Sequence, residues 1–405
     1  MKINAAIAAA FMLTAGGIAQ AQQAAAPAPA PPWQQGMSAD QTGSTLHPLA
    51  GIVTGRPASE LPINKLKVPA GFKVEVFAEG IPDARSIAIG DKGTVFIGNR
   101  LQSSVYAIVE KGGKREVKTI LTGMNAPNGV LFSKGTLYVA ERERILRYDG
   151  IENNLDSPPA PKVVIDGLPQ QPGHFWKTMT MGPDGKIYFN IGSPGNIVLP
   201  GYIQASISRV DPNTGKFEVM ATGVRNSVGM AFDPRSKKLW FSSNARDWLG
   251  EDGPADILSM VKFKGEEHGY PYCHQGNMAD PIYGKLRSCK EFSPPVYKLG
   301  PHIAPLGMRF YTGSMFPAEY KNNVFLAQHG SWNRTVKHGY NVIRLVIDPK
   351  GRVIKSEPFL EGFLTDEKAD PPMWGRPVDV QQMKDGSLLV SDDYNGIVYR
   401  VSYSK

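Results

Sequence analysis

The sequence predicts an all-β protein folded as a six-bladed β-propeller, and three observations carry that prediction. A short motif, a polar or glycine turn followed by apolar and aromatic residues, occurs six times: "KGTVFIG", "KGTLYVA", "DGKIYFN", "SKKLWFS", "KNNVFLA" and "DGSLLVS". Its central apolar residues are Val95, Leu137, Ile187, Leu239, Val324 and Leu388. Most copies have an apolar run just upstream ("RSIAIG", "NGVLFS", "KTMTMG", "VGMAFD", "LGMRFY", "VDVQQM"). Another follows downstream ("SVYAIV", "RILRYD", "SISRVD", "DILSMV", "NVIRLV", "IVYRVS"). Strand, tight turn, strand and strand make an antiparallel meander. One meander repeated in tandem, without a helical-period stretch of similar length, points to radial blades rather than to a β-sandwich.

Taken in chain order, the first segment is "MKINAAIAAAFMLTAGGIAQAQQ". A basic start, a short apolar core and the A-x-A exit at Ala19-Gln20-Ala21 read as a signal peptide over residues 1–21, cleaved before Gln22. The run is too short to span a membrane, and the chain is expected to be periplasmic or secreted. Residues 22–60 open with "QQAAAPAPAPPWQQ" and read as an Ala/Pro-rich linker. The propeller is then expected over 61–405, roughly 340 residues, beyond the size at which a single core usually stops growing. The repeats are unevenly spaced. The longest gap, between Leu239 and Val324, is assigned an insertion at about 248–303. It holds the chain's two cysteines, Cys273 and Cys289. In an exported chain they are expected to form one disulfide, with two unpaired buried thiols as the alternative.

Charge excludes some functions. The formal charge is +8, and it falls to +7 once Lys2 leaves with the signal. The densest basic run, "ERERILR", is mixed in sign, which argues against a nucleic-acid partner. The excess suits solubility or encounter with an acidic redox partner. No C-x-x-C-H motif is present, which argues against covalently attached haem in this chain.

Propeller geometry nominates a pocket. The innermost strand of each blade lines the central channel, so polar residues just before those strands converge on one face. His174 and Lys177 precede "TMTMG", Asn128 precedes "GVLF", and Arg225 and Asn226 precede "VGMAF". Arg376 and Asp379 flank the start of "VDVQQ". A loop histidine is more often structural, and an arginine more often a rim salt bridge. Four blades supplying such groups at equivalent places favour a pocket. Elsewhere, His268 and His274 beside Cys273 lack the second spaced pair of a transition-metal site. "EDGPAD" lacks the alternating carboxylates of a calcium loop. Trp176 and Trp332 fit blade interfaces, or a pocket wall against a sugar or flat cofactor.

The segments "GHFWKTMTMGPDGKIYFNIGSPGN", "TGVRNSVGMAFDP", "SSNARDWLGEDGPADIL" and "HGSWNR", in that order, resemble the soluble quinoprotein glucose/sorbosone dehydrogenases, the sorbosone branch in particular. The resemblance spans nearly all of the chain after the linker, from "LKVPAGFKVEVFAEGI" to "DDYNGIVYRVSY". It implies pyrroloquinoline quinone (PQQ) and Ca2+ as cofactors, and a sugar or sugar-derived aldehyde as substrate. It also implies a separate electron acceptor such as a cytochrome c. His174 falls at the family's general base, and Arg225 with Asn226 at its Arg-Asn pair beside the cofactor. Arg100, His329, Arg334 and Arg376 resemble contacts to cofactor carboxylates, with Asn128 and Lys177 also at that site. Ala245 and Arg246 match the segment whose carbonyls bind calcium, with Asp247 as a helper. The chain departs from the glucose-type pattern at Gly173, Pro127 and Val378, where an aspartate, a glutamine and a second arginine would stand. Lys177, Lys337 or His329 are the candidates to replace the lost charge. Two other functions stay open on this architecture, a calcium-dependent sugar lactonase and a non-catalytic propeller that binds carbohydrate or protein.

Overall fold

The structure is a computed structural model and describes residues 31–49, 54–170 and 172–404. The expected signal peptide, 1–21, and the Ala/Pro tract up to residue 30 lie outside them. Among the described residues six sheets are each built on a four-stranded antiparallel meander, so the six-bladed propeller is observed, and a seventh, two-stranded sheet lies outside the blades. The innermost strands are Ile87–Ile89, Gly129–Ser133, Met179–Met181, Met230–Phe232, Pro305–Phe310 and Pro377–Gln382, in blades 1 to 6. All six repeat motifs fall on the second strands: Val95–Ile97, Thr136–Ala140, Ile187–Ile191, Leu239–Ser243, Val324–Gln328 and Leu388–Asp392. These strands are buried along their whole length. Being covered on both faces by neighbouring sheets, they read as continuous apolar-aromatic runs rather than as alternation.

Every blade also has an outermost strand that the repeat motif does not mark. Lys114–Leu121 of blade 1 shows why, since most of its residues are exposed or half-buried and its sequence is mainly polar. Blade 6 takes its outer strand from the other end of the chain. Phe72–Ala78 pairs antiparallel with Ile397–Tyr403, which closes the ring by hydrogen bonding instead of leaving two free edges. Phe72 lies edge-on to Phe316, Phe359, Tyr320 and Tyr403, with centroids 4.7 to 5.2 Å apart.

The expected insertion at 248–303 contains two strands of blade 4 itself, Ala255–Val261 and Tyr297–Pro301. The excursion proper runs between them. It adds Glu266–Glu267 to the edge of blade 3 as a parallel strand, then forms the small hairpin Cys273–His274 with Met278–Ala279. Cys273 and Cys289 are disulfide-bonded. Part of the expected linker is described. Residues 33–49 pack on the propeller, because Trp33 finds two tryptophan partners and the backbone of Gln35 and Gly36 finds hydrogen-bond donors.

The Phe72→Ala variant tests ring closure. It should lose about 3 kcal/mol of unfolding free energy, measured by chemical denaturation.

Candidate active site

Two sets of loops meet on one face, those leading into the innermost strands and those leaving the second strands. Between them is a cavity of 460 Å³. The first set brings Arg85, His174, Trp176, Arg225, Asn226 and Arg376. The second brings Arg100, Asn196, Ala245, Asp247 and His329. Of the residues nominated from sequence, His174, Arg225, Asn226, Arg100, His329, Arg376, Ala245 and Asp247 therefore share one wall system.

Others are placed elsewhere. Lys177 is buried, and its ammonium donates to the carbonyls of Arg142 (2.5 Å) and Phe175 (3.1 Å) rather than lining the cavity. Burial pushes its pKa down to about 8. Asn128 accepts from Arg85 Nε at 3.1 Å and donates to Lys177 O at 2.9 Å. It lines the central channel, as does Asp379. Arg334 donates to the carbonyls of Val336 and Glu251, outside the cavity, and Lys337 donates to those of Trp332 and Arg334. The Arg246 side chain turns away to Asp280 at 2.6 Å, leaving only its backbone available to the site. The His268, His274 and Cys273 group is not a ligand cluster. Cys273 is in the disulfide, His274 bonds Asp280 at 2.8 Å, and His268 contacts Ser259 at 3.3 Å.

The floor of the site is electrostatic. Asp393, fully buried at the end of the second strand of blade 6, pairs with Arg85 at 2.7 Å and Arg376 at 2.7 Å. His329 Nε2 stands 3.1 Å from both of its oxygens. Despite burial, Arg376 and its other cationic neighbours hold the Asp393 carboxyl well below the usual range. Burial pushes His329 down to about 3, so it is neutral and donates to Asp393 through Nε2. Neither Arg85 nor Asp393 was nominated from sequence. Arg100 sits beside this group under a load of positive charge. Burial, reinforced by Arg85, lowers it to about 10.

His174 is the most informative residue. Its Nδ1 lies 2.9 Å from Ser193 Oγ and 3.1 Å from Ser193 O. The hydroxyl spends its one proton on Gly195 O at 2.7 Å, so towards the ring it can only accept. The carbonyl can only accept as well. Nδ1 therefore carries the hydrogen, and Nε2 keeps its lone pair, with no hydrogen bond among the described residues. Burial first, then the charge of Arg225, lowers the imidazole pKa well below 6.5. Ser193 thus does the orienting that Gly173 cannot. Arg225 is itself fixed by Asn196 O (2.9 Å), Asn196 Oδ1 (2.8 Å) and Asp247 Oδ2 (3.2 Å).

The donors left over show what the cavity suits. Two donors, Arg100 Nε and Trp176 Nε1, and one acceptor, Asn226 Oδ1, are buried, belong to residues lining it and have no partner among the described residues. Unsatisfied donors among arginines fit a planar anion with several oxygens. The carbonyl of Ala245, which lines the cavity, and that of the adjoining Arg246 accept no hydrogen bond among the described residues. Asp247 and the buried Asp256, which burial raises to about 6, stand beside them. Among the described residues no three His, Cys, Asp or Glu side chains cluster as a metal site. A hard cation here would rest on backbone oxygens and on oxygens of a bound ligand, an arrangement calcium accepts.

Residues 142–400 match the family model for glucose/sorbosone dehydrogenase. The chain belongs to the glucose/sorbosone dehydrogenase family. An uncharacterized protein of Borreliella burgdorferi is 35% identical over 371 residues, covering 86% of this chain and 93% of the relative. The pyrroloquinoline quinone-dependent pyranose dehydrogenase of Coprinopsis cinerea is 22% identical over 344 residues, 71% of this chain but 46% of that enzyme. Its PQQ domain in the holo form superposes with a TM-score of 0.72 at 20% identity, covering 83% of this chain and 97% of the domain. The PQQ-bound aldose sugar dehydrogenase of Streptomyces coelicolor gives 0.59 at 18% identity, covering 84% and 100%. Sugar dehydrogenases of this family thus share the fold, and the family is one of oxidoreductases.

Asp393→Asn is isosteric and leaves two buried arginines short of a counter-charge. It should cost about 3–5 kcal/mol in urea denaturation, where an exposed ion pair would cost under about 1.

Proposed function

We propose that the protein oxidises a sugar or sugar-derived aldehyde of the aldose or sorbosone type, with PQQ and Ca2+ bound in the cavity. The single observation carrying this reading is His174, its Nδ1 held by Ser193 and its Nε2 without a partner among the described residues, in a cavity that Arg85, Arg100, Arg225 and Arg376 also line. Two of the proteins named above are a PQQ-dependent pyranose dehydrogenase and a PQQ-bound aldose sugar dehydrogenase, which supports the choice of cofactor and substrate class. A lactonase built around a calcium ion would want converging carboxylates, and this cavity is lined by four arginines with only Asp247 and Asp256 as carboxylates.

When bound, the quinone supplies a hydride acceptor. Arg100, Arg376 and Asn226 would hold its carboxylates and carbonyls, and the Ala245 and Arg246 carbonyls, with Asp247, would face the calcium ion. Oxidising a hemiacetal or hydrated aldehyde removes a proton from oxygen together with a hydride from carbon. His174 Nε2 takes that proton, and Ser193 stabilises the resulting imidazolium through Nδ1–H. Arg225 keeps the imidazole neutral beforehand and offers positive charge where negative charge builds up. No haem motif is present, so electrons leave to a separate acceptor, for which a cytochrome c is our candidate. Export to the periplasm or beyond fits the N-terminal leader reading and the disulfide.

Adding PQQ and Ca2+ to the purified chain should produce cofactor absorbance that aldoses or sorbosone bleach; no binding at micromolar PQQ would remove the proposal's basis. His174→Ala should keep the cofactor and lose turnover by about 10² to 10⁴, and undiminished turnover would rule out the base assignment. Because the imidazole pKa is lowered, the base stays deprotonated as pH falls through 6.5. The acid limb of kcat/KM should then lie below that value, and a limb at or above it would contradict the half-buried histidine set beside Arg225.

A further inference from the structure

Residues 33–49 form a strap across the cavity mouth, and the propeller commits several groups to it. Trp248 Nε1 donates to Trp33 O at 2.6 Å, Asn196 Nδ2 to Gln35 O at 2.6 Å, and Arg246 Nη2 to Gly36 O at 3.1 Å. Gly36, at φ +83°, gives Arg246 room, since a Cβ there would stand 2.6 Å from Nη2. Asn196 also holds Arg225, so strap and site share one hydrogen-bond network. Trp248 is held at φ +67°, a strained backbone for a bulky residue, of a kind that clusters at functional sites.

This strain serves an aromatic triad. Trp33 lies 6.3 Å from Trp248 and 6.1 Å from Trp332, and Trp248 lies 5.6 Å from Trp332. Trp248 is buried and acts as the anchor. Trp33 and Trp332 are half-buried, and both line the cavity that holds His174. Beyond Trp332 and Leu49 the strap encloses a second space of 730 Å³, with Asp40, Thr45, His47, Lys337 and Asp370 among its lining. Ring faces beside polar walls suit a ligand with one C–H face and a rim of hydroxyls.

We propose that Trp33, carried by the strap, is a specificity residue that packs with Trp332 against the ring of a pyranose substrate. The strap is then a wall of the substrate site, and it favours ring-sized sugars over short hydroxyaldehydes. The identity of the ligand rests on the dehydrogenase reading; the subsite itself rests on the triad and the strap.

The test compares the PQQ- and calcium-loaded wild type with Trp33→Ala and Trp33→Phe on a hexose and on glyceraldehyde. A methyl pyranoside, whose anomeric oxygen is capped against oxidation, is titrated by calorimetry in parallel. Trp33→Ala should raise KM for the hexose roughly three- to tenfold with kcat kept. It should weaken the pyranoside by a similar factor and leave glyceraldehyde unchanged, while Trp33→Phe stays near the wild type. Equal KM changes for both substrates, or unchanged hexose KM and pyranoside affinity, would overturn the subsite and leave the dehydrogenase reading standing. If even the wild type oxidises no sugar, the dehydrogenase reading falls. The pyranoside titration then decides the subsite: weaker binding in Trp33→Ala supports it, and equal or absent binding overturns it.

Discussion

Asp393 lets two arginines and a histidine share one buried floor. An arginine taken out of water is costly unless a counter-charge and hydrogen bonds come with it, and here one carboxylate serves Arg85 from blade 1, Arg376 from blade 6 and His329 from blade 5. The floor is thereby neutralised only in part. Arg100 remains with a buried, unpartnered Nε and a lowered pKa, and Arg225 lies on the far wall with a single carboxylate. Arg100 also has Asp83 at 3.9 Å, so the cavity's four arginines are each set beside a carboxylate while Arg100 Nε stays unpartnered. Burial first, and then the charge of Arg225, lower the His174 pKa, and these arginines would draw an anionic cofactor to the same place.

The fold makes this arrangement possible by setting strand ends at a common height. In each blade the innermost strand starts, and the second strand ends, on the cavity face. Blade 1 gives Arg85 and Arg100 from these two positions, blade 3 gives His174 and Ser193, and blade 6 gives Arg376 and Asp393. Six rigid sheets hold the groups, and the ring is pinned by pairing Phe72–Ala78 with Ile397–Tyr403. Side chains far apart in sequence are thus positioned by strands, with loops only a few residues long to bend.

Much of this was legible in the sequence, and the gaps have physical reasons. The second strands, packed on both faces, carry an apolar signature that survives in every copy, so blade number and order follow from it. The outer strands are half-solvated and polar, and they leave no such mark. His174, Arg225, Asn226 and Arg376 could be nominated because they precede innermost strands. Ser193, Asn196 and Asp393 follow second strands instead. Aligning the residues after "YFN", "WFS" and "LLVS" across the repeats would have exposed them. Asn128 and Lys177 precede innermost strands too, yet they turn into the wall, where backbone carbonyls and Arg85 satisfy them. Arg85 was hidden because an arginine before "SIAIG" looks like a rim residue until its partner, 308 positions away, is known. The packing of residues 33–49 is not legible in the sequence for a different reason. Alanine and proline around Trp33 signal a chain that builds no core, but this stretch needs none, since the tryptophans and donors that order it belong to the propeller.

The central claim is that His174 is a neutral imidazole with its proton on Nδ1 and its lone pair on Nε2, kept so by Ser193, burial and Arg225. Nitrogen-15 NMR of the histidine-labelled protein tests it most directly. The account predicts that the His174 resonances show the Nδ1–H tautomer, unchanged as the pH is lowered past 6.5. An imidazolium near neutral pH, or a proton resident on Nε2, would contradict it.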